Sequence, residues 1–445
     1  MTNLANELGT EKISKLLIKQ AVPASIGILV MSLNMIVDTI FVGQWIGSLA
    51  IAAITVVLPI VFLISSIGMG IGIGGSSIIS RALGAKNADK AFLTFGNQIT
   101  MTMGLSVFFV IIGTLFCTSL LLLFGANGDI LAPATEYFHV VIYGVPFLAF
   151  AMMGNPVIRA EGKPKFAMYA MIIPAITNII LDIIFIKFLD WGMYGAGLAT
   201  SISYAACGLF ILGFFLSKKS ALVINPKYFI LSLPIFKEIV QLGGVTIVRQ
   251  GTISILVIVL NATLFKYGGE NAIAVYGIIN RVMMFALFPV LGVTQGFLPI
   301  AGYNYGAKDT KRVKETIKTA IIYGTSVATV IFLGIVIFPT AVASLFTNDA
   351  NLIAETPNAL LYAFLATPVI TTQLIGSAYF QAAGKALPAL LLTLLKQGIF
   401  LIPLVYIMPK FFGLNGVWLS FPIADVLATS ITYIFLHTEI KKNLQ

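Results

Sequence analysis

Residues 48–78 read SLAIAAITVVLPIVFLISSIGMGIGIGGSSI, without one charged side chain. A helix that crosses a bilayer needs about 20 predominantly apolar residues, and this run exceeds that. Outward from it, the same texture recurs over 14–40, 91–124, 132–158, 163–188, 192–216, 234–266, 270–303, 316–346, 352–382, 386–409 and 414–437. Of the 445 residues, 58% are hydrophobic and 10% charged, whereas an ordinary soluble domain is about 25% charged. These residues cannot supply a soluble coat. They predict an all-α polytopic membrane protein of twelve spans, with the lipid bilayer as its first partner. A soluble enzyme, a nucleic-acid binder and a disulfide-built secreted domain are excluded.

The formal net charge of +10 follows the loops. Lys12, Lys15 and Lys19 precede the first span, and Arg81, Lys86 and Lys90 follow the second. Arg159, Lys163 and Lys165 follow the fourth, Lys218, Lys219, Lys227 and Lys237 lie between the sixth and seventh, and Lys308, Lys311, Arg312, Lys314 and Lys318 follow the eighth. The opposite loops lean acidic, with Asp129, Glu136, Asp190, Glu270, Asp349 and Glu355. Cytoplasmic loops carry the Lys and Arg excess, so both termini are expected in the cytoplasm. The first 13 residues are polar and lead into a full span, so no cleavable signal peptide is expected. Cys117 and Cys207 lie in apolar runs and form no C-x-x-C motif.

The polar stretch 217–236 divides the chain near its middle. Residues 1–216 are expected to form an N-terminal six-helix lobe, 217–233 a cytoplasmic linker and 234–445 a C-terminal lobe. The halves repeat at an offset of about 222 residues: Ala50-Ile51-Ala52 with Ala272-Ile273-Ala274, Gly70 and Gly74 with Gly292 and Gly296, Gly84-Ala85-Lys86 with Gly306-Ala307-Lys308, and Gly162-Lys163 with Gly384-Lys385. With a one-residue slip, Gly192 and Gly195 match Gly413 and Gly416. Six spans per half give both halves one orientation, so a pseudo-twofold axis along the membrane normal is expected. Secondary transporters are built on such repeats, with the substrate site between them.

An ionisable group inside a span is expensive and marks function by default. Asp38, Asp182 and Asp425 are the carboxylates clearly within spans. Asp38 follows Asn34 by four residues and Asp182 follows Asn178 by four, so each helix presents an amide and a carboxylate on one face. With no deep Lys or Arg expected in that half, the two acids must take up a proton or a metal cation, or else face water or cap a broken helix. Oxygen ligands suit a hard cation such as Na⁺. In the second half, Leu260 stands opposite Asp38, and Pro403 or Leu404 opposite Asp182. That half instead carries Arg249, Arg281 and Lys396 beside Asp425. One reading pairs Asp425 with one of these cations as a structural bond, and the other makes it a second gating or coupling site.

These segments resemble the MATE family of multidrug and toxic-compound extrusion transporters, in its MepA-like and DinF-like bacterial branch. The likeness is carried by NMIVDTIFVG from Asn34 to Gly43 with Pro23 upstream, by NIILDIIFIK with GMYGAGLAT after it, and by QGFLPIAGYNYGAK from Gln295 to Lys308. It covers nearly the whole chain. The resemblance implies an ion site on Asp38, Asp182 and Asn178, joined by Tyr137 in EYFHVVIYGVPF and by Thr200. It departs from relatives with acidic residues on the seventh and tenth helices, which this chain lacks.

A polyspecific cavity needs pliant apolar walls and rings. Met31, Met35, Phe150, Met153 and Met283 are candidates, with Gln250, Gln295 and Gln373 as polar ones. Pro23 removes a backbone donor inside the first span and is a candidate hinge. The expected protein is a monomeric secondary antiporter of the prokaryotic cytoplasmic membrane. It would need no cofactor and catalyse no reaction, and H⁺ or Na⁺ entry would drive export of cationic amphipathic drugs and dyes by alternating access. The alternative is a flippase for a lipid-linked oligosaccharide.

Overall fold

The computed structural model describes residues 3–444, which are helical apart from short turns and the mostly irregular stretch 217–232. A bilayer offers no hydrogen-bond partner to the backbone, so long apolar runs must bond within themselves as helices. Eleven helices are long and apolar enough to cross it. One of them, Leu233–Gly306, is two spans joined at Gly269, whose φ of 64° breaks the helix. Twelve spans result, as the sequence predicts. In the first half they are Ile13–Trp45, Ser48–Gly84, Ala88–Leu115, Leu131–Ala160, Pro164–Asp182 with a π-helical extension Ile183–Phe188, and Gly192–Leu216. After the long helix come Thr310–Ile337, Ala350–Ala382, Ala386–Ile407 and Pro409–Asn443. The eleventh contains a π-helical turn, Leu395–Leu401.

The repeated motifs are backbone punctuation. Lys86 and Lys308 both adopt positive φ, 57° and 58°, and end the second and eighth spans. The next residue caps the following helix in each half: Asn87 Oδ1 accepts from Lys90 N at 3.0 Å, and Asp309 Oδ1 from Arg312 N at 2.9 Å. Gly162 and Gly384 have φ of 78° and 80°. A side chain would strain these glycine turns, which is why the duplication is easiest to read there.

The chain divides into two compact units, one built on Ile26–Thr246, the other on Leu8–Ser25 with Ile247 onward. The expected boundaries at 216 and 234 do not coincide with this division. The start of the first span belongs to the second unit, and the start of the seventh to the first. The reason lies in the repeated glycines. In the first unit, Gly74 lets the backbone of Ile239 and Gly243 press against the second span, and a Cβ there would meet Gly243 N at 2.9 Å. In the second unit, a Cβ on Gly296 would meet Ala21 N at 2.9 Å. Polar clamps finish each docking. Arg81 Nη2 meets Glu238 Oε1 at 2.8 Å in the first unit, and Arg312 donates to the Glu11 carbonyl at 2.8 Å in the second. Pro23 sits two residues before the point where the first span passes from one unit to the other, in a helix that runs on through it.

The stretch expected as the linker is hydrogen-bonded to the first unit. Thr100 donates to Phe229 O at 2.8 Å, and the Asn97 side chain bonds Ile230 O and Ser232 N at 3.2 and 2.8 Å. Glu161, 1% exposed, accepts from Ser220 Oγ and Ala221 N, both at 2.8 Å. Burial pushes this carboxyl up to about 7 from the ordinary 4.5, and the bonds from Ala221 and Ser220 offset only part of that. The native state therefore keeps the proton to higher pH than the unfolded chain. Its stabilisation is complete below pH 4.5 and is lost as pH rises through 7. Glu161→Gln, which stays neutral, should melt at or below the wild type at pH 5 and above it at pH 8. The full swing is about 3 kcal/mol at most. A melting gap that does not change over that range would rule out this account.

Candidate functional site

Asn34 and Asp38 sit one turn apart on the first span, and Asn178 and Asp182 one turn apart on the fifth. The amides join the two helices: Asn34 Nδ2 donates to Asn178 Oδ1 at 3.2 Å. The carboxyls of Asp38 and Asp182 come within hydrogen-bonding reach of each other. Asp182 is fully buried and Asp38 half-buried. Among the described residues neither oxygen of Asp182 has a donor, nor has Asn34 Oδ1. Three buried acceptor oxygens on the two joined helices are therefore left without a donor among the described residues. Two carboxylates cannot face each other bare in such a place. A shared proton or a bound cation supplies the missing positive charge.

Local irregularity helps to place the acid. The fifth span turns π-helical immediately after Asp182, with Leu189 N bonded to Ile184 O at 3.0 Å. Such turns concentrate at functional sites. On the other side, the Tyr137 and Thr200 hydroxyls lie 3.4 Å apart. Thr200 Oγ1 already donates to Ala196 O at 3.0 Å, so the phenol is the donor between them. Tyr137 and Tyr204 both lie near Asp38. Tyr204 was not singled out by sequence. Its place one turn beyond Thr200, on the same face of the sixth span, is the signal that could have found it.

In the second unit Lys396 Nζ lies 2.6 Å from Asp425 Oδ1. Arg249 is half-buried and Arg281 exposed, and neither has an ion-pair or hydrogen-bond partner among the described residues. Of the cavity candidates, Met31 and Met35 are 40% and 43% exposed, Gln250 is exposed, and Phe150, Met283 and Gln295 are half-buried. Two further candidates are buried. Met153 is fully buried in the first unit's core, where its backbone packs against Gly72. Gln373 is 5% exposed and donates to Leu392 O at 3.0 Å, so its amide serves the backbone of the eleventh span. Arg159, expected in a loop, is 4% exposed and bonds Asn155 Oδ1 at 3.1 Å.

Comparison with known proteins gives a consistent result. The family model described as MatE matches residues 23–184 and again 246–407, once in each half. The multidrug export protein MepA of Staphylococcus haemolyticus is 28% identical over 432 residues, covering 96% of this chain and 94% of that protein. MepA of Staphylococcus saprophyticus is 30% identical, covering 94% of this chain and 92% of that protein. The solved outward-facing structure of a multidrug resistance MATE family transporter of the MOP superfamily superposes with a TM-score of 0.93 at 28% identity, over 99% of both chains.

Proposed function

The chain belongs to the MatE family, and from that premise we propose that it is a multidrug efflux antiporter. It exports amphipathic organic cations while H⁺ or Na⁺ enters through Asp38 and Asp182. The observation that carries this is the cluster of donorless acceptor oxygens on Asp182 and Asn34 beside the Asp38 carboxyl. These groups form an oxygen-only site that is complete only with a cation. Asn178 orients Asn34, and the Tyr137–Thr200 pair with Tyr204 borders the acids. Ion and substrate must favour different states of the protein, because only differential affinity can shift an equilibrium. The Lys- and Arg-rich loops support a cytoplasmic membrane location with both termini inside.

Ethidium efflux from energised cells tests the proposal. Cells expressing the protein should extrude the dye against its gradient and stop when the ion gradient collapses. Replacing Na⁺ with K⁺ at fixed membrane potential then names the ion: efflux that persists is proton-driven, and efflux that stops is sodium-driven. Absence of efflux from well-expressed protein would overturn the reading.

A further inference from the structure

Three carboxylates are buried away from the paired acids, and they are held in two different ways. Glu161 receives Ser220 and Ala221. Glu439 receives Tyr379 at 3.2 Å, Asn443 at 2.9 Å and the Lys385 ammonium. Both tie a helix end to a loop or to a neighbouring helix, with several donors. Among the described residues Asp425 has Lys396 alone, at 2.6 Å, and its Oδ1 makes no well-directed hydrogen bond. A buried ion pair offsets its desolvation only when geometry is good and the remaining lone pairs are satisfied. As a structural bond, this one has a single donor where the other two carboxylates have several.

Its surroundings suit a ligand better. The Asp425 side chain is 5% exposed and that of Lys396 24%, so the ammonium covers the carboxylate from the open side. Lys396 is mounted in the π-helical turn Leu395–Leu401. The first-half position at the 222 offset is Pro174, so the cation is particular to this half. Phe421 lies one turn before Asp425 on the same helix face, and its ring stands 6.5 Å from that of Tyr276. Phe421 is buried in the second unit's core with Tyr276 packed against it, and a carboxylate in such apolar surroundings, held by one tethered ammonium, can pair with an amphipathic organic cation instead.

We propose that Asp425 is the second unit's counter-ion for the organic cation this protein carries, and that Lys396 is its tethered stand-in. The lysine holds the carboxylate until a cation displaces it, its flexible stem lets the ammonium withdraw toward the exposed side, and its return aids release. The inference rests on the cation-export reading above.

Equilibrium binding of ethidium to purified protein tests it. Lys396→Met should bind the dye about tenfold more tightly, and Asp425→Asn about tenfold more weakly. The double variant Lys396→Met/Asp425→Leu removes both charges together, which buried pairs tolerate. It should fold as the wild type does and bind as weakly as Asp425→Asn. A structural pair gives a different pattern: the single variants lose stability, while the double variant recovers wild-type ethidium affinity. That result would overturn the proposal. A wild-type protein that binds no ethidium would remove the cation-export premise itself, an outcome separable from the variant pattern.

Discussion

Asp38→Asn and Asp182→Asn each abolish gradient-driven ethidium export at matched membrane expression, leaving only the leak seen in cells without the protein. The expected loss is tenfold or more, because the coupling ion has no second pair of acids to use. Each substitution preserves shape and replaces one acceptor with an amide that can donate to the remaining carboxylate. The cluster of donorless oxygens then satisfies itself, so the variants should fold. What disappears is the charge that binds the ion. The defect should therefore sit in coupling: purified variants should still bind the dye while failing to pump it. Asn34→Ala should fall between the variants and the wild type, since it removes the 3.2 Å bridge to Asn178 but leaves both carboxyls. Export that survives in both Asp variants would sink the first-unit ion site and direct attention to Asp425.

Much of this architecture was legible in sequence because a membrane leaves few choices. Twelve apolar runs become twelve spans, since nothing else hides the backbone from lipid. The paired acids were legible for the same reason: a carboxylate in an apolar run stands out, and an Asn four residues earlier sets its face. What stayed hidden depends on contacts between distant segments. Glu161 was not singled out in the sequence, because its donors Ser220 and Ala221 lie some 60 residues away and only the fold closes them over it. Gln373 reads as a polar cavity residue, but it caps a carbonyl 19 residues away in the chain. Met153 reads like Met31 and Met35, yet only its burial shows that it faces the core. Tyr204 carried a local signal, its spacing from Thr200, that mattered only once Asp38 was placed beside it.

The glycines of the repeat were legible as a pattern but not as a contact, and substitution there, or at Gly243 which packs against Gly70 and Gly74, carries the other large expected effect. Gly243→Ala places a Cβ against the carbonyl of Gly70, with that residue's carbon 2.7 Å away. Gly74→Ala places one against Ile239 O, with Gly243 N at 2.9 Å. The obstacles are backbone atoms, so no rotamer change relieves them and the helices must part. Close small-residue contact is the main source of helix association within lipid, and overpacking of this kind typically costs about 1–3 kcal/mol. Both variants should melt well below the wild type and should lose export, because the seventh span's start would no longer seat in the first unit. Gly296→Ala should act in the same direction in the second unit, where Ala21 N and Gln20 Cβ stand 2.9 and 3.0 Å from the new atom. Gly104 and Gly251 have nothing within 4 Å of a Cβ, so alanine there should be neutral or stabilising by up to about 1 kcal/mol. Thermal melts of this set separate crowding from helix propensity. If Gly243→Ala proves as stable as Gly104→Ala, the glycines do not seat the exchanged helix starts, and the division of each first helix between the two units needs another cause.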